Sequence, residues 1–363
     1  MAQARRATSD KPRRVLVTRF SALGDVAMTL PVVYGACRAN PGVAFIFATR
    51  RHMAKMFVNP PANLTVFAFD PSDYEGLTGL KRLYDHLSSK FDFDAVADFH
   101  SVLRTRVIDW FARRDGLKVV SLDKSRSHRR ALTRRHNKVL VPLRPMLERY
   151  ADVITALGLH APGPFVSLFP PEGAPAERYA ILSEPKRRGE RWVAVAPFAK
   201  YSGKIYPAGL MEKVLRMIVE DNPDVRVFLL GAGASEEARL DKWSATIERT
   251  ISLAGNGGGL AAELALLSHV DAVVAMDSAN MHLAALVGAP TVSIWGATHP
   301  YCGFSAFGSE EANAVQLAIE CRPCSIFGNK TCRRGDYLCL AGISPRTVAD
   351  RVNSLLRANP PKK

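Results

Sequence analysis

Short runs of β-branched and aromatic residues alternate along the chain with longer segments whose apolar positions recur at helical spacing. Val15-Leu-Val-Thr18 is followed by the turn-like Ser21-Ala-Leu-Gly24, and apolar residues at helical spacing then run from Asp25 to Arg38. This order predicts a strand, a tight loop and a helix. Further strands are predicted at 43–48, 64–69, 94–98 and 118–122, separated by helices at 51–58, 76–90 and 102–114. After a helix near 146–157, the Pro- and Gly-rich stretch 159–176 breaks every periodicity. The pattern restarts with strands at 192–196, 225–230, 250–253, 271–276 and 290–294 and helices at 207–220, 236–247, 260–268 and 279–287. Repeated strand–helix units imply parallel sheets covered on both faces. The expected fold class is therefore α/β, with two doubly wound Rossmann-like domains facing across a cleft. The expected division is a flexible basic tail over 1–13, a domain over 14–160, a linker over 161–176, a second domain over 177–343 and a C-terminal helix and tail over 344–363.

A length of 363 residues agrees with about two domains. The 47% hydrophobic and 23% charged fractions exclude global disorder and fibrous architectures. The first fourteen residues are basic and polar with no apolar core, so they are not a secretory signal. The longest stretch without Asp, Glu, Lys or Arg runs from Ser278 to Ser309 but is broken by polar residues and prolines, which reads as a buried core segment. A cytoplasmic location follows, in which the six cysteines stay in a reducing compartment.

Charge changes the picture. Forty-nine Lys and Arg against thirty-four Asp and Glu give +15, which implies an acidic partner: nucleic acid, an anionic membrane surface or a phosphorylated substrate. The segment 124–138 concentrates seven Lys and Arg and two His without an acid. It reads as a solvated loop or as a contact for an anionic lipid-linked acceptor. No aromatic residue interleaves its cations to stack bases, which argues against nucleic acid.

In doubly wound sheets ligands bind beyond the carboxyl ends of the strands, so the loops after strands are where chemistry is sought. The first such loop places Gly24 before Asp25. Asp25 is either a helix-start carboxylate worth roughly 0.3–1 kcal/mol or a general base facing the cleft. Lys204, beside Gly203 in the loop after strand 192–196, is either a solvated lysine or a point charge for phosphate. The run from Asp271 to Ala285 predicts a buried strand, a polar turn and a small-residue helix. The backbone amides of 278–282 (Ser278, Ala279, Asn280, Met281 and His282) could cradle a diphosphate, with Asp277, Ser278 and His282 adding polar contacts, or could simply form a capped helix. Gly231 and Glu236, after strand 225–230, are candidates for a nucleotide ribose, although exposed helix-start glutamates are commoner. Neither a G-x-G-x-x-G fingerprint after the first strand nor a P-loop is present. Cys321, Cys324, Cys332 and Cys339 could bind zinc, form disulfides or stay reduced.

The segments RFSALGDVAMTLPV at 19–32, the lysine loop at 197–207, MDSANMHLAALVGAPTVSIWGATHP at 276–300 and the cysteine-rich tail at 321–339 resemble the ADP-heptose:lipopolysaccharide heptosyltransferase family, glycosyltransferase family 9. That resemblance implies the GT-B architecture and inverting, metal-independent glycosyl transfer with no cofactor. It puts the catalytic base on Asp25, the donor-phosphate contact on Lys204 and nucleotide-sugar binding on Asp277 to His282. It implies ADP-heptose as donor and an anionic, lipid A-linked core oligosaccharide as acceptor, with peripheral contact at the cytoplasmic face of the inner membrane. Arg19, Arg104, Arg106, Arg129 and Arg130 are the expected acceptor contacts. The family commonly has Thr-Gly where this chain has Ser278-Ala279, so another nucleotide sugar on the same architecture is the main alternative. A nucleic-acid-binding protein with a four-cysteine zinc module is a distant one.

Overall fold

The computed structural model describes residues 12–359; the tail expected over 1–13 lies almost wholly outside them. The chain forms two compact units. The first runs to Ser125 and resumes over Arg144–Phe165, and the second takes Arg126–Leu143 together with the described chain from Val166 onward.

In the first unit β1 (Arg14–Thr18) leads to α1 (Leu23–Ala39), β2 (Ala44–Arg50), the short α2 (Arg51–Ala54), β3 (Leu64–Phe69), α3 (Gly76–Phe91), β4 (Ala95–Asp98), α4 (Leu103–Arg114) and β5 (Lys118–Ser121). The next helix, α5 (Arg126–Leu132), belongs to the second unit, and α6 (Met146–Ala156) returns to the first. The five strands pair in parallel in the order β3-β2-β1-β4-β5. Both faces are covered, so β1 and β4 carry continuous apolar runs and α1 is buried from Val26 to Cys37. The helix predicted over 51–58 ends at Ala54, ahead of a left-handed Asn59 and the Pro60–Pro61 pair, which cannot continue it.

The second unit continues with β6 (Arg191–Ala196), α7 (Ala208–Asp221), β7 (Val225–Leu229), α8 (Ala234–Thr246), β8 (Thr250–Ser252), α9 (Gly259–Leu267), β9 (Ala272–Met276), α10 (Ala279–Leu286), β10 (Thr291–Trp295), β11 (Ala314–Gln316), α11 (Leu338–Ala341) and α12 (Pro345–Ala358). Its parallel sheet has the order β11-β10-β9-β6-β7-β8. The C-terminal helix is part of this core and not a separate element, because Val348, Ala349, Val352 and Leu356 join Val193, Met211 and their neighbours.

Two boundaries differ from the sequence expectation. From Val166 the stretch expected to be a linker is bonded to the second unit, through the Leu168 amide on the Leu286 carbonyl at 2.8 Å and the Ala174 amide on Ser268 Oγ at 2.9 Å. The basic segment, expected in the N-terminal domain, also belongs to the second unit. The Arg129 guanidinium lies 5.3 Å from the ring centre of Phe304 and 5.7 Å from that of Phe327. Lys138 Nζ donates to the carbonyls of Glu320 (3.0 Å) and Arg322 (2.8 Å), and the Leu143 amide donates to the Tyr301 carbonyl at 2.8 Å. Cation–π and backbone contacts of this kind leave no periodic trace in the segment itself.

Candidate active site

Strand order reverses between β1 and β4 in the first sheet and between β9 and β6 in the second. At such a reversal the flanking loops diverge to opposite faces and open a crevice at the carboxyl edge. The candidate residues after β1, β6 and β9 lie at these two reversals.

In the first unit Asp25 is the third residue of α1. Its Oδ2 accepts the Ala22 amide at 3.2 Å and pairs with Arg19 Nη2 at 2.7 Å. The Asp25 side chain is 28% exposed and that of Arg19 only 7%. Among the described residues Asp25 Oδ1 has no hydrogen-bond donor. One oxygen thus fixes the carboxylate to the loop and the other faces solvent, so capping and base chemistry are compatible in one residue. Arg19, expected as an acceptor contact, is buried; its Nη1 donates to the Phe99 carbonyl at 2.8 Å and its Nη2 meets Asp25. Its guanidinium orients the carboxylate instead of facing outward.

Sequence reasoning missed His100, whose signal was its place two residues beyond β4 at the carboxyl edge. Asp98 Oδ1 accepts the amides of His100 and Ser101, both at 2.9 Å, and turns the chain toward the first loop. The Phe20 amide lies 3.4 Å from His100 Nδ1, and Nε2 lies 3.4 Å from Ser21 Oγ. Accepting at Nδ1 places the proton on Nε2. Burial, reinforced by the charges of Arg19 and Lys124, pushes the imidazole down to about 3, so it is neutral. Behind it the Asp109 carboxyl is pushed up to about 7 by burial and by the charge of Asp98. Arg104 and Arg106 are exposed on the first turns of α4. Asp92 and Asp94 lie at the opposite, amino edge, where Asp92 pairs with Arg14 at 2.7 Å and Asp94 accepts the Arg13 and Arg14 amides.

In the second unit β6 delivers a turn, Ser202–Lys204, whose last residue pairs with Asp277: Nζ to Oδ2 is 2.8 Å. Lys204 is therefore not a freely solvated lysine. Gly203 accepts the Ala297 amide at 2.8 Å, and Ser202 Oγ meets the Tyr337 hydroxyl at 2.9 Å. Gly328, at φ +75°, lies under the lysine stem; a Cβ there would stand 2.6 Å from Lys204 Cγ. The cysteine-rich tail thus buttresses the lysine loop. Ser278 is the N-cap of α10, yet its side chain makes no cap bond, and its Oγ is buried without a partner among the described residues. The first amides of α10 remain open for an anion. Met281 and His282 are buried, while Ala279 and Asn280 are half-buried. After β7, Glu236 Oε2 accepts the Ala232 amide at 3.0 Å and lies close to Gly231. Arg129 and Arg130 are carried by α5.

All six cysteines are free. Burial pushes Cys339 up to about 11 and Cys302 up to about 12, which keeps both as thiols at neutral pH. Among the described residues no three His, Cys, Asp or Glu side chains converge as metal ligands, so the tetrahedral four-thiol arrangement is not formed. No helix among them is long and apolar enough to cross a membrane.

A structure described as a glycosyl transferase family 9 protein from Veillonella parvula aligns with 96% of this chain and 98% of its own, at a TM-score of 0.73 and 18% identity. An Escherichia coli heptosyltransferase with ADP-2-deoxy-2-fluoro heptose aligns over 94% and 99% of the two chains, with a TM-score of 0.62 and 16% identity. The fold is that of the GT-B glycosyltransferases. Lipopolysaccharide heptosyltransferase 1 of Pseudomonas aeruginosa is 27% identical across 95% of this chain and 98% of its own length. Residues 82–336 match the model for glycosyltransferase family 9 (heptosyltransferase), and the chain belongs to that family. It is a glycosyltransferase of the heptosyltransferase type, in lipopolysaccharide biosynthesis.

Proposed function

We propose that the chain transfers heptose from ADP-heptose to an anionic, lipid A-linked core oligosaccharide, with inversion at the anomeric carbon. The observation that carries this reading is the Lys204–Asp277 pair beside the open amino end of α10. In this scheme the acceptor hydroxyl gives its proton to Asp25 Oδ1 as its oxygen bonds to the anomeric carbon. The bond from that carbon to the diphosphate oxygen breaks, and the departing ADP takes the electron pair. Lys204 and the amides of 278–282 hold the growing negative charge, with Ser278 Oγ as an added donor and no metal assigned a part. Asp277 keeps the ammonium aimed when the donor is absent. Gly231 and Glu236 adjoin the ribose, and Arg104, Arg106, Arg129 and Arg130 meet acidic groups of the acceptor. The enzyme works in the cytoplasm, peripheral to the inner membrane, without a nucleic-acid partner.

Ser278-Ala279 favours a second reading, a different nucleotide sugar, because a Cβ stands where glycine would allow the closest backbone approach. Thermal unfolding against a panel of nucleotide sugars, followed by transfer assays, separates the two. A donor at ~100 times its Kd adds about 2.7 kcal/mol of stability. A midpoint raised by several degrees with ADP-heptose and not with the others is the expected result; the same rise with another sugar nucleotide alone overturns the assignment of the donor.

A further inference from the structure

Helix α4 presents an outward face that no other described residue covers. Leu103 is 79% exposed and Trp110 57% exposed, large values for apolar residues of this size. At 100° per residue they share one side of the helix with the exposed Arg106, Arg113 and Arg114, and Arg104 flanks them. The opposite side, Thr105, Ile108, Asp109 and Ala112, is buried. The only carboxylate within α4, Asp109, is on that buried side, so the outward face carries three arginines, with Arg104 at its flank and no acid; Arg114 Nε lies 3.9 Å from Asp115 Oδ1 at the helix end. Asp115, just past the helix, accepts the Tyr84 hydroxyl at 2.7 Å. The Arg114 guanidinium lies 5.8 Å from the ring centre of Trp110, which keeps the indole flanked by charge at the surface.

Cations around an exposed Trp and Leu on a rigid helix match an anionic lipid–water interface. Arg113 and Arg114 meet headgroups, and the indole and leucyl side chains enter the boundary between headgroups and acyl chains. We propose that the outward face of α4 is the membrane-docking surface of this enzyme, with anionic phospholipid as its partner and Trp110 and Leu103 as its apolar anchors. The proposal rests on the reading of a membrane-attached acceptor, but vesicle binding is measured without donor or acceptor, so the two fail separately.

The chain has four tryptophans, and Trp192, Trp243 and Trp295 are buried, so a change of emission on docking reports Trp110. The full-length protein is sedimented with vesicles of phosphatidylethanolamine containing about one-third phosphatidylglycerol, and with neutral phosphatidylcholine vesicles. Expected are binding to the anionic vesicles alone, release by salt and a blue shift of tryptophan emission. Leu103→Ser with Trp110→Ser should lower the partition by about tenfold or more. Arg113→Gln with Arg114→Gln should weaken binding chiefly at low salt. The thermal midpoint and transfer to a lipid-free acceptor should hold in both double variants. Equal binding to neutral vesicles, an unshifted emission on bound wild-type protein, or full binding by the Leu103/Trp110 variant would overturn the proposal. So would release by Val139→Ser with Leu140→Ser and Val141→Ser while the α4 variants stay bound, because it would place the contact on that exposed apolar segment of the second unit.

Discussion

Lys204 Nζ lies 2.8 Å from Asp277 Oδ2, and the two side chains are only 16% and 5% exposed. They come from loops after β6 and β9, neighbouring strands at which the order of the second sheet reverses. A cation held by one buried carboxylate is pre-aimed, with no rotamer search left when a diphosphate arrives. An interaction that strengthens as the glycosidic bond breaks acts on kcat more than on binding. Lys204→Ala should lower kcat by on the order of 10²–10³, read by steady-state kinetics. Turnover at the wild-type rate would remove Lys204 from the mechanism.

The same lysine should respond to a residue of the cysteine-rich tail. Gly328→Ala forces a Cβ against the Lys204 stem at a φ of +75°, where an L-residue is strained. The expected outcome is a drop in kcat of tenfold or so, with a thermal midpoint lowered by several degrees for a strain of roughly 1 kcal/mol. Unchanged kinetics would show that the buttress does not position the ammonium.

Asparagine caps a helix about as well as aspartate but cannot take a proton from an acceptor hydroxyl. Asp25→Asn should therefore keep the helix cap and donor binding while turnover falls by roughly 10²–10⁴; losing the charge opposite the buried Arg19 should also lower the folding midpoint by several degrees. The measurement is kcat with saturating donor and acceptor. More than about a tenth of the wild-type value would leave Asp25 with only its cap.

Two buried groups of the first unit oppose each other in pH-dependence. His100 is held at about 3, below its ordinary value of 6.5, so its contribution is present above about 6.5 and is lost as pH falls toward 3. Asp109 is raised to about 7, so its contribution is full below the unfolded value of about 3.9 and is lost as pH rises through 7. Urea unfolding from about pH 4 to 7.5 should show Asp109→Asn gaining stability, relative to wild type, toward the upper end. His100→Gln should gain toward the lower end. A flat difference for either variant would contradict its assigned shift.

The exposed cations of the basic segment offer a separate test of the acceptor contact. Arg130→Ala combined with Arg134→Ala and Arg135→Ala should raise the KM for lipid-linked acceptor several-fold at low salt and leave donor affinity in place. Unchanged acceptor kinetics would make the segment a solvated one.

The strand–helix alternation and both doubly wound sheets were legible in the sequence, because a parallel strand buried on both faces must be apolar throughout, as in Ala272–Met276. Asp25, Lys204 and Asp277 were legible as candidates for the same reason: each follows such a strand, at the edge where ligands bind. Three matters lay beyond it. Arg19 read as an outward cation, yet tertiary packing buries it against Asp25 and the Phe99 carbonyl. His100 carried no motif, and its place beside the first loop is fixed by contacts with Phe20 and Ser21, some 80 positions away. The segment 126–143 changed unit because Phe304, Phe327, Glu320, Arg322 and Tyr301 hold it. Periodicity records which face of an element is buried; which distant charge, ring or carbonyl meets that face depends on long-range contacts that leave no local pattern.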